Sequence, residues 1–425
     1  MRQLERVIAW AALLASGVVL ARSAFTRRPE DVLHYYELVR SVAAGGRPYV
    51  DAVCEYPPYA LAWLLWPSAA HHARIYVPLI SLSFLPWHLW ATSLVLREAE
   101  RMERTPWSAS AALSLAALPV LQSFWFLRRF DAVPTALTVI AVVAAARSKP
   151  FAAGLALAAG ALTKVFPIVI APVLLAVAIQ KRTAWPLALE TCLGALPAMA
   201  LLLIWPWWRF AEFHATRGLQ AESLAASLLW LGRHLVHWDV RWASARASYE
   251  IHGGVARLVL PWATAAWAGG VAFSTAVAGW STWREKASSS PALARLALLP
   301  VLAFVAWSPV LSPQYMIWLQ VLAALALLEE TGRLAALLVL VSAAVTPTIY
   351  PSSSYCRGLD LVGTAMLVAR NLALVIGWGL LLRKTLATPR PGPLTSALAT
   401  REAARAGSPA PGGTPRAFAP RTRPR

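Results

Sequence analysis

Hydrophobic runs separated by short polar segments extend over most of the chain. An α-helix needs about 20 apolar residues to cross the roughly 30 Å hydrocarbon core of a bilayer, so runs of that length are the natural units of this sequence. The first two lie at 6–25 and 73–98, and the last lies near 358–382. The pattern predicts an all-α, polytopic integral membrane protein with about 12 transmembrane helices.

Two neighbouring runs, 151–163 and 165–180, are each short for a membrane span, and they meet at Lys164. We interpret them as a helical hairpin with Lys164 at or near the outer surface. Basic residues occur in the turns that this topology places inside, which agrees with the positive-inside rule and predicts that both termini are cytoplasmic. The long outer loops are then 26–57 and 208–256.

The composition fits this class and excludes an ordinary soluble domain, because the 425 residues are 58% hydrophobic and only 14% charged. Residues 1–383 contain all the predicted spans and form one membrane domain. Residues 384–425 are rich in Pro, Ala and Arg, with few large apolar residues, and predict a disordered basic cytoplasmic tail.

The formal net charge of +19 does not predict a nucleic-acid partner, because many of the Arg residues lie in loops and in the tail, where they suit a lipid bilayer and phosphate groups better. The three cysteines show no metal-ligand spacing. His234 and His237 lie three residues apart, but they have no nearby pair of carboxylates, so no metal site is predicted. Gly-rich phosphate loops and Walker motifs are absent from the sequence, and no cofactor is predicted.

A cluster of charged residues follows the first run, in the segment EDVLHYYELVRSVAAGGRPYVDAVCEYPPY at 30–59. Charge near a bilayer is costly unless it is solvated or paired, so such a cluster predicts a functional site. The predicted topology places the other polar segments on the same side of the membrane. These observations predict one outer-face cavity lined by carboxylates and guanidinium groups, built from 30–57, 128–131, Lys164, 214–223, 307–315 and 352–358.

The order of several motifs resembles that of a known family. The segments GGRPY, RRFDAVPTALTVIAVVAAA, GLALAAGALTKVFP, RGLQAES and SPQYMIW are similar, over residues 4–383, to the bacterial polyprenyl-phosphate-sugar-dependent glycosyltransferases of the GT-C superfamily. The resemblance is to the mannosyltransferase-like glycosyltransferase family 87. It implies a multi-pass protein of the cell membrane that transfers a hexose, mannose-like, from a polyprenyl-phosphate sugar donor to a hydroxyl of a glycan or glycolipid acceptor. The active site would lie on the extracytoplasmic face, with an acid of the first outer loop as base.

Two carboxylates are candidates for that base. In an inverting transfer the acceptor hydroxyl loses its proton as it attacks the anomeric carbon, so a carboxylate within hydrogen-bond reach can accept the proton. We predict Asp31, which begins a short helical stretch with Tyr35 one turn later on the same face. The alternative is that Asp31 only caps this helix. Glu55 is the second candidate.

A phosphate leaving group needs cations, and the fork of an Arg side chain matches its oxygens. Lys164 is the most informative cation, although it could instead snorkel to the membrane interface. Arg128 and Arg129 could be interface anchors, and RGLQAES could be a plain surface helix. The predicted substrate-binding residues are Tyr35, Arg128, Arg129, Asp131, Lys164, Arg217, Gln220, Glu222, Gln314 and Tyr315.

Two classes of function remain open from the sequence. The first is the lipid-linked glycosyltransferase, and the second is a transporter or flippase that binds polyprenyl-linked sugars without bond chemistry. Transporters tend to place polar residues at the membrane midplane in both halves of the chain. The polar residues here are predicted to gather on one side, which favours the transferase.

Overall fold

Helices make up most of the computed structural model, which describes residues 3–26, 30–70, 72–102, 106–245, 248–349 and 359–388. Within these ranges only the backbone is described at Thr26, Glu30, Asp31, Pro106, Phe124, Ser244 and Ala245. The predicted tail beyond 388 and the polar segment 352–358 lie outside the described residues. The described α-helices are α1 (Gln3–Thr26), α2 (Glu30–Ala43), α3 (Pro58–Leu65), α4 (Ala73–Arg101), α5 (Pro106–Leu121), α6 (Ser123–Phe126), α7 (Ala132–Ala146), α8 (Pro150–Thr163), α9 (Ala171–Gln180), α10 (Ala184–Leu201), α11 (Arg209–Ala215), α12 (Leu224–Val236), α13 (Gly254–Glu285), α14 (Ser290–Ala306), α15 (Tyr315–Ala326), α16 (Arg333–Val345) and α17 (Leu361–Ala387).

Six helical segments in the described residues are long and apolar enough to cross a membrane. They are α1, α4, α10, α13, α17 and the segment Glu330–Ile349 that contains α16. Seven shorter apolar helices accompany them. The prediction of a mostly helical, polytopic membrane protein is therefore confirmed, while the count of about 12 spans and the cytoplasmic termini stay predictions.

Three of the shorter helices, α7, α14 and α15, occupy the interior of the bundle. Every residue of α15 is buried, and so are nearly all residues of α7 and α14. A helix that is apolar on all sides suits such a central position. The long helix α13 lies at the perimeter, where side chains such as Leu258 and Trp262 are 73% and 79% exposed. Exposed apolar side chains of this kind suit contact with lipid.

The two short runs around Lys164 form separate helices, as predicted. Helix α8 ends at Thr163, and a 3₁₀ turn (Phe166–Ile170) leads into α9. Lys164 itself has extended backbone, with φ −157° and ψ 134°. At this break the side chain of Lys164 lies against the first outer loop and the start of α15. Its ammonium group is over the rings of Tyr56 and Tyr315.

The predicted outer loop 208–256 is folded. It contains α11, α12 and a three-stranded antiparallel sheet of order β1-β3-β2, with strands β1 (Leu219–Gln220), β2 (Arg241–Ala245) and β3 (Ser248–His252). The side chain of Ser223 accepts a hydrogen bond of 3.1 Å from the backbone N–H of Ala226, which caps the start of α12. The sequence analysis did not predict this small sheet, whose first strand contains Gln220.

Candidate active site

A cavity of about 490 Å³ lies between the first outer loop, α11, the loop before α15, and one face of α13. Seven of the predicted site residues line it. They are Glu55, Arg129, Lys164, Arg217, Gln220, Gln314 and Tyr315. The structure thus brings together polar residues that are spread over 260 positions of the chain.

Lys164 is held in the cavity wall by a buried acid. Its Nζ donates a hydrogen bond of 2.7 Å to Oδ1 of Asp131, whose side chain has no exposed surface. The same carboxylate oxygen accepts a short hydrogen bond from the indole Nε1 of Trp318. The ammonium group also lies 5.0–5.7 Å from the ring centroids of four aromatic residues, which is the range of cation–π attraction. Lys164 is therefore a fixed cation with a side chain that is only 14% exposed.

Glu55 and Arg217 form the second ion pair of the cavity. Nη2 of Arg217 lies 2.6 Å from Oε2 of Glu55, and both side chains are less than a tenth exposed. Burial raises the pKa of the Glu55 carboxyl, but the charges of Arg217 and Arg129 and a hydrogen bond from Tyr56 outweigh it, so the pKa lies below its ordinary value of 4.5. Glu55 is consequently an anion at neutral pH.

His214 joins this ion pair to α11. Its Nε2 lies 2.9 Å from the backbone carbonyl oxygen of Glu55, and its ring lines the cavity. Although the ring is accessible from the cavity, the protein atoms around it and the charge of Arg217 lower its pKa below the ordinary 6.5. Sequence reasoning did not select His214, although it lies in the polar segment 214–223.

Arg129 brings a third cation to the same wall. It lies in the turn between α6 and α7, and its charge lowers the pKa of Glu55. The charged groups described so far are three cations, Arg129, Lys164 and Arg217, and the two carboxylates of Glu55 and Asp131. The formal charge of this set is +1, which suits an anionic ligand.

Another part of the cavity lining is aromatic and apolar. Trp318 stacks on Phe166 at 4.3 Å between ring centroids, and it meets the edge of Phe304 at 6.0 Å. Trp267 of α13 contacts Phe304 in turn, at 5.1 Å. On α13 the lining positions are 260, 264 and 267, which is the spacing of one helix face. The cavity is thus amphipathic, and its apolar wall continues onto a perimeter helix.

Four predicted residues lie elsewhere or behind the wall. Tyr35 is buried and contacts Tyr56 and Phe130 with its ring. Asp131 acts through Lys164, as described above. Arg128 and Glu222 are both buried and do not line the cavity.

Glu222, which was predicted to bind the sugar or the phosphate, instead contacts α17 in the structure. Its carboxylate lies 3.3 Å from Nη1 of Arg370, and its backbone carbonyl oxygen accepts hydrogen bonds from Arg370 and Asn371 of α17. These bonds tie the end of the short strand β1 to the membrane helix. They hold the neighbouring Gln220 at the cavity wall.

The side chain of Asp31, the predicted base, lies outside the described residues. Its backbone is part of the first turn of α2, as predicted, and the buried Tyr35 follows one turn later. Within the described residues no group of three or more His, Cys, Asp or Glu side chains could hold a metal ion.

Sequence reasoning also missed the aromatic wall. A usable signal was present, because Trp318 lies in the motif SPQYMIW one turn after Gln314 and Tyr315.

No family model and no curated protein matches the chain. A comparison with solved structures found the crystal structure of ArnT from Cupriavidus metallidurans bound to undecaprenyl phosphate. That protein is 16% identical, the alignment covers 88% of this chain and 77% of that one, and the TM-score is 0.43. A likeness of this degree assigns neither the reaction nor the substrate to this chain.

Proposed function

We propose that the protein is an integral membrane glycosyltransferase that moves a hexose, mannose-like, from a polyprenyl-phosphate donor to a hydroxyl acceptor on the outer face of the membrane, with inversion. The observation that carries this proposal is the amphipathic cavity. Part of its lining presents Arg129, Lys164 and Arg217, and part presents Phe166, Phe304 and Trp267. A lipid phosphate has the same two parts, an anionic group and an apolar chain.

The cations would bind the phosphate of the donor. Arg129 and Arg217 offer forked donors, and Lys164 offers a point charge that its buried partner holds in place. As the bond between the anomeric carbon and the phosphate oxygen breaks, negative charge grows on the phosphate. Fixed cations stabilise that charge without having to reorganise, so they would lower the barrier.

The lipid chain would follow the aromatic wall toward α13. Leu260, Thr264 and Trp267 face the cavity on this helix, while Leu258 and Trp262 on its other side are exposed. An apolar path from the cavity to a perimeter helix would let the chain stay in contact with bilayer lipid. It would also avoid the cost of placing a polyprenyl chain in water.

The acceptor hydroxyl would lose its proton to a carboxylate as it attacks from the face opposite the phosphate. Asp31 is the proposed base, from its place at the start of α2. Glu55 is the alternative, because it lines the cavity and is ionised, although its contact with Arg217 makes it a weaker proton acceptor.

Turnover by the purified full-length protein tests the proposal. A panel of polyprenyl-phosphate sugars, labelled in the sugar, is supplied in nanodiscs with glycan and glycolipid acceptors, and products are separated by mass. We expect one donor to yield labelled product together with free polyprenyl phosphate. Movement of intact donor between leaflets of liposomes, without bond cleavage, would instead identify a flippase and refute the transferase.

A further inference from the structure

His214 contributes a hydrogen-bond acceptor to the polar wall of the cavity. Its Nε2 lies 2.9 Å from the carbonyl oxygen of Glu55. A carbonyl oxygen only accepts, so Nε2 carries the hydrogen and donates. In a neutral imidazole the other ring nitrogen, Nδ1, then holds a lone pair. Among the described residues Nδ1 has no hydrogen-bond partner.

Desolvation by the surrounding protein, helped by two nearby cations, lowers the pKa of the ring. Arg217, on the loop after α11, and Lys164, on the break after α8, both oppose a second proton. The carbonyl and carboxylate of Glu55, from the first outer loop, favour one. Desolvation of the ring and the two cations together outweigh the effect of Glu55, so the pKa of His214 lies below 6.5 and Nδ1 is an acceptor at neutral pH.

Most of the charged groups on this wall are donors. Arg and Lys side chains only donate hydrogen bonds, and they match phosphate oxygens, which accept. The carboxylate of Glu55 already accepts from Arg217, and Oε1 of Gln314 accepts from Ser312 at 2.5 Å. Oε1 of Gln220 has no partner among the described residues, but the atom is buried. A sugar hydroxyl that must donate therefore finds a complementary group in the ring of His214.

We propose that His214 is a sugar-binding residue, whose Nδ1 accepts a hydrogen bond from a hydroxyl of the sugar on the donor. This inference rests on the proposed function, because it takes the phosphate to occupy the cationic wall. The sugar is linked directly to that phosphate. On the side away from the lipid chain it meets the group formed by His214, Glu55 and Arg217.

Binding of two probes, decaprenyl phosphate and decaprenyl phosphate mannose, to the full chain in nanodiscs tests this inference. In His214→Gln the side-chain amide keeps a donor for the Glu55 carbonyl but has no acceptor at the place of Nδ1. Loss of one hydrogen bond should weaken binding of the mannosylated probe by about 2- to 10-fold. Binding of the bare phosphate should change by less than about twofold. Glu212→Gln, at an exposed position of the same helix, is the control and should leave both affinities unchanged.

A pH series adds a readout that a packing role would not move. The wild type should bind the mannosylated probe, a phosphodiester with no ionisation of its own in this range, more tightly than His214→Gln does. This difference between the two proteins should shrink as the pH falls through the His214 pKa, below 6.5, because protonation removes the acceptor from the wild type only. Equal losses for both probes, or no loss for the mannosylated one, would overturn the inference while leaving the proposed function standing. If neither probe binds the wild type, both fail.

Discussion

Replacing Lys164 by Met removes a charge that serves both the fold and the proposed donor site. Asp131 is fully buried, and within the described residues the only cation that its carboxylate contacts is Lys164, at 2.7 Å. Removing one partner of a buried ion pair leaves the other charge uncompensated, which costs about 3–5 kcal/mol. We therefore expect Lys164→Met to lower the free energy of unfolding by about that amount.

The double variant Lys164→Met with Asp131→Asn separates the two roles. Asn keeps the shape of Asp131 and an oxygen that can accept from Trp318, but it carries no charge. Replacing both members of a buried pair by neutral groups is often close to neutral for stability. The double variant should therefore regain most of the stability that Lys164→Met loses. It should not regain donor affinity, because a hydrogen bond to a charged group contributes about 1.5–3 kcal/mol, or roughly 10- to 150-fold in affinity.

Stability is measured as apparent melting temperature in one detergent by tryptophan fluorescence, and affinity is measured with decaprenyl phosphate in nanodiscs. Lys149→Met is the control, because Lys149 is exposed at the other end of the same helix. It should change neither quantity. If the double variant recovers both stability and lipid affinity, Lys164 is only the counter-ion of Asp131. If Lys164→Met melts like the wild type, the assumed cost of the buried carboxylate is refuted.

Three further predictions concern the base, the acid stability and the topology. Asp31→Asn should leave expression and donor binding nearly intact and lower turnover by roughly two to four orders of magnitude, whereas loss of turnover only in Glu55→Gln would move the role of base to Glu55. Because the pKa of Glu55 is lowered on folding, its ion pair with Arg217 contributes stability above about pH 4.5, and this stability is lost as the pH falls through the lower pKa of the folded state. Glu55→Gln should therefore reduce the fall of the melting temperature at acid pH. An unchanged fall would contradict the assignment. A cysteine placed at Gly45 should react with a membrane-impermeant reagent from outside and one at Thr400 should not, and labelling at Thr400 would exclude a cytoplasmic C-terminus.

The helical bundle and the gathering of polar segments could be predicted because both depend on local composition. Runs of apolar residues identify helices, and the positions of charges between them indicate a shared face. Local composition does not tell a central helix from a spanning one. Helices α14 and α15 are short, apolar and almost completely buried, and the sequence shows only that they are apolar.

The pairing of the charges could not be predicted, because it depends on contacts between distant parts of the chain. Trp318 reaches Asp131 across 187 positions, and Arg370 reaches Glu222 across 148. Arg370 lies in an apolar run where nothing nearby marks its partner. The sheet formed by 219–220, 241–245 and 248–252 was missed for a related reason, since its first strand has only two residues and gives no alternating pattern.

The paired charges also indicate how an anion could enter such a site. A buried cation without a partner would be costly in the free protein, and a cation with a partner is less available to a ligand. At Lys164 the carboxylate of Asp131 contacts the ammonium group from one direction, and an ammonium group has three hydrogens to donate. At Arg217 the carboxylate of Glu55 contacts the terminal nitrogen Nη2. A phosphate that binds there does not need to break either pair. It adds a further acceptor to cations whose positions are already fixed. For this reason we expect the ion pairs to persist in the donor complex, and the carboxylates to orient the cations rather than compete with the phosphate for them.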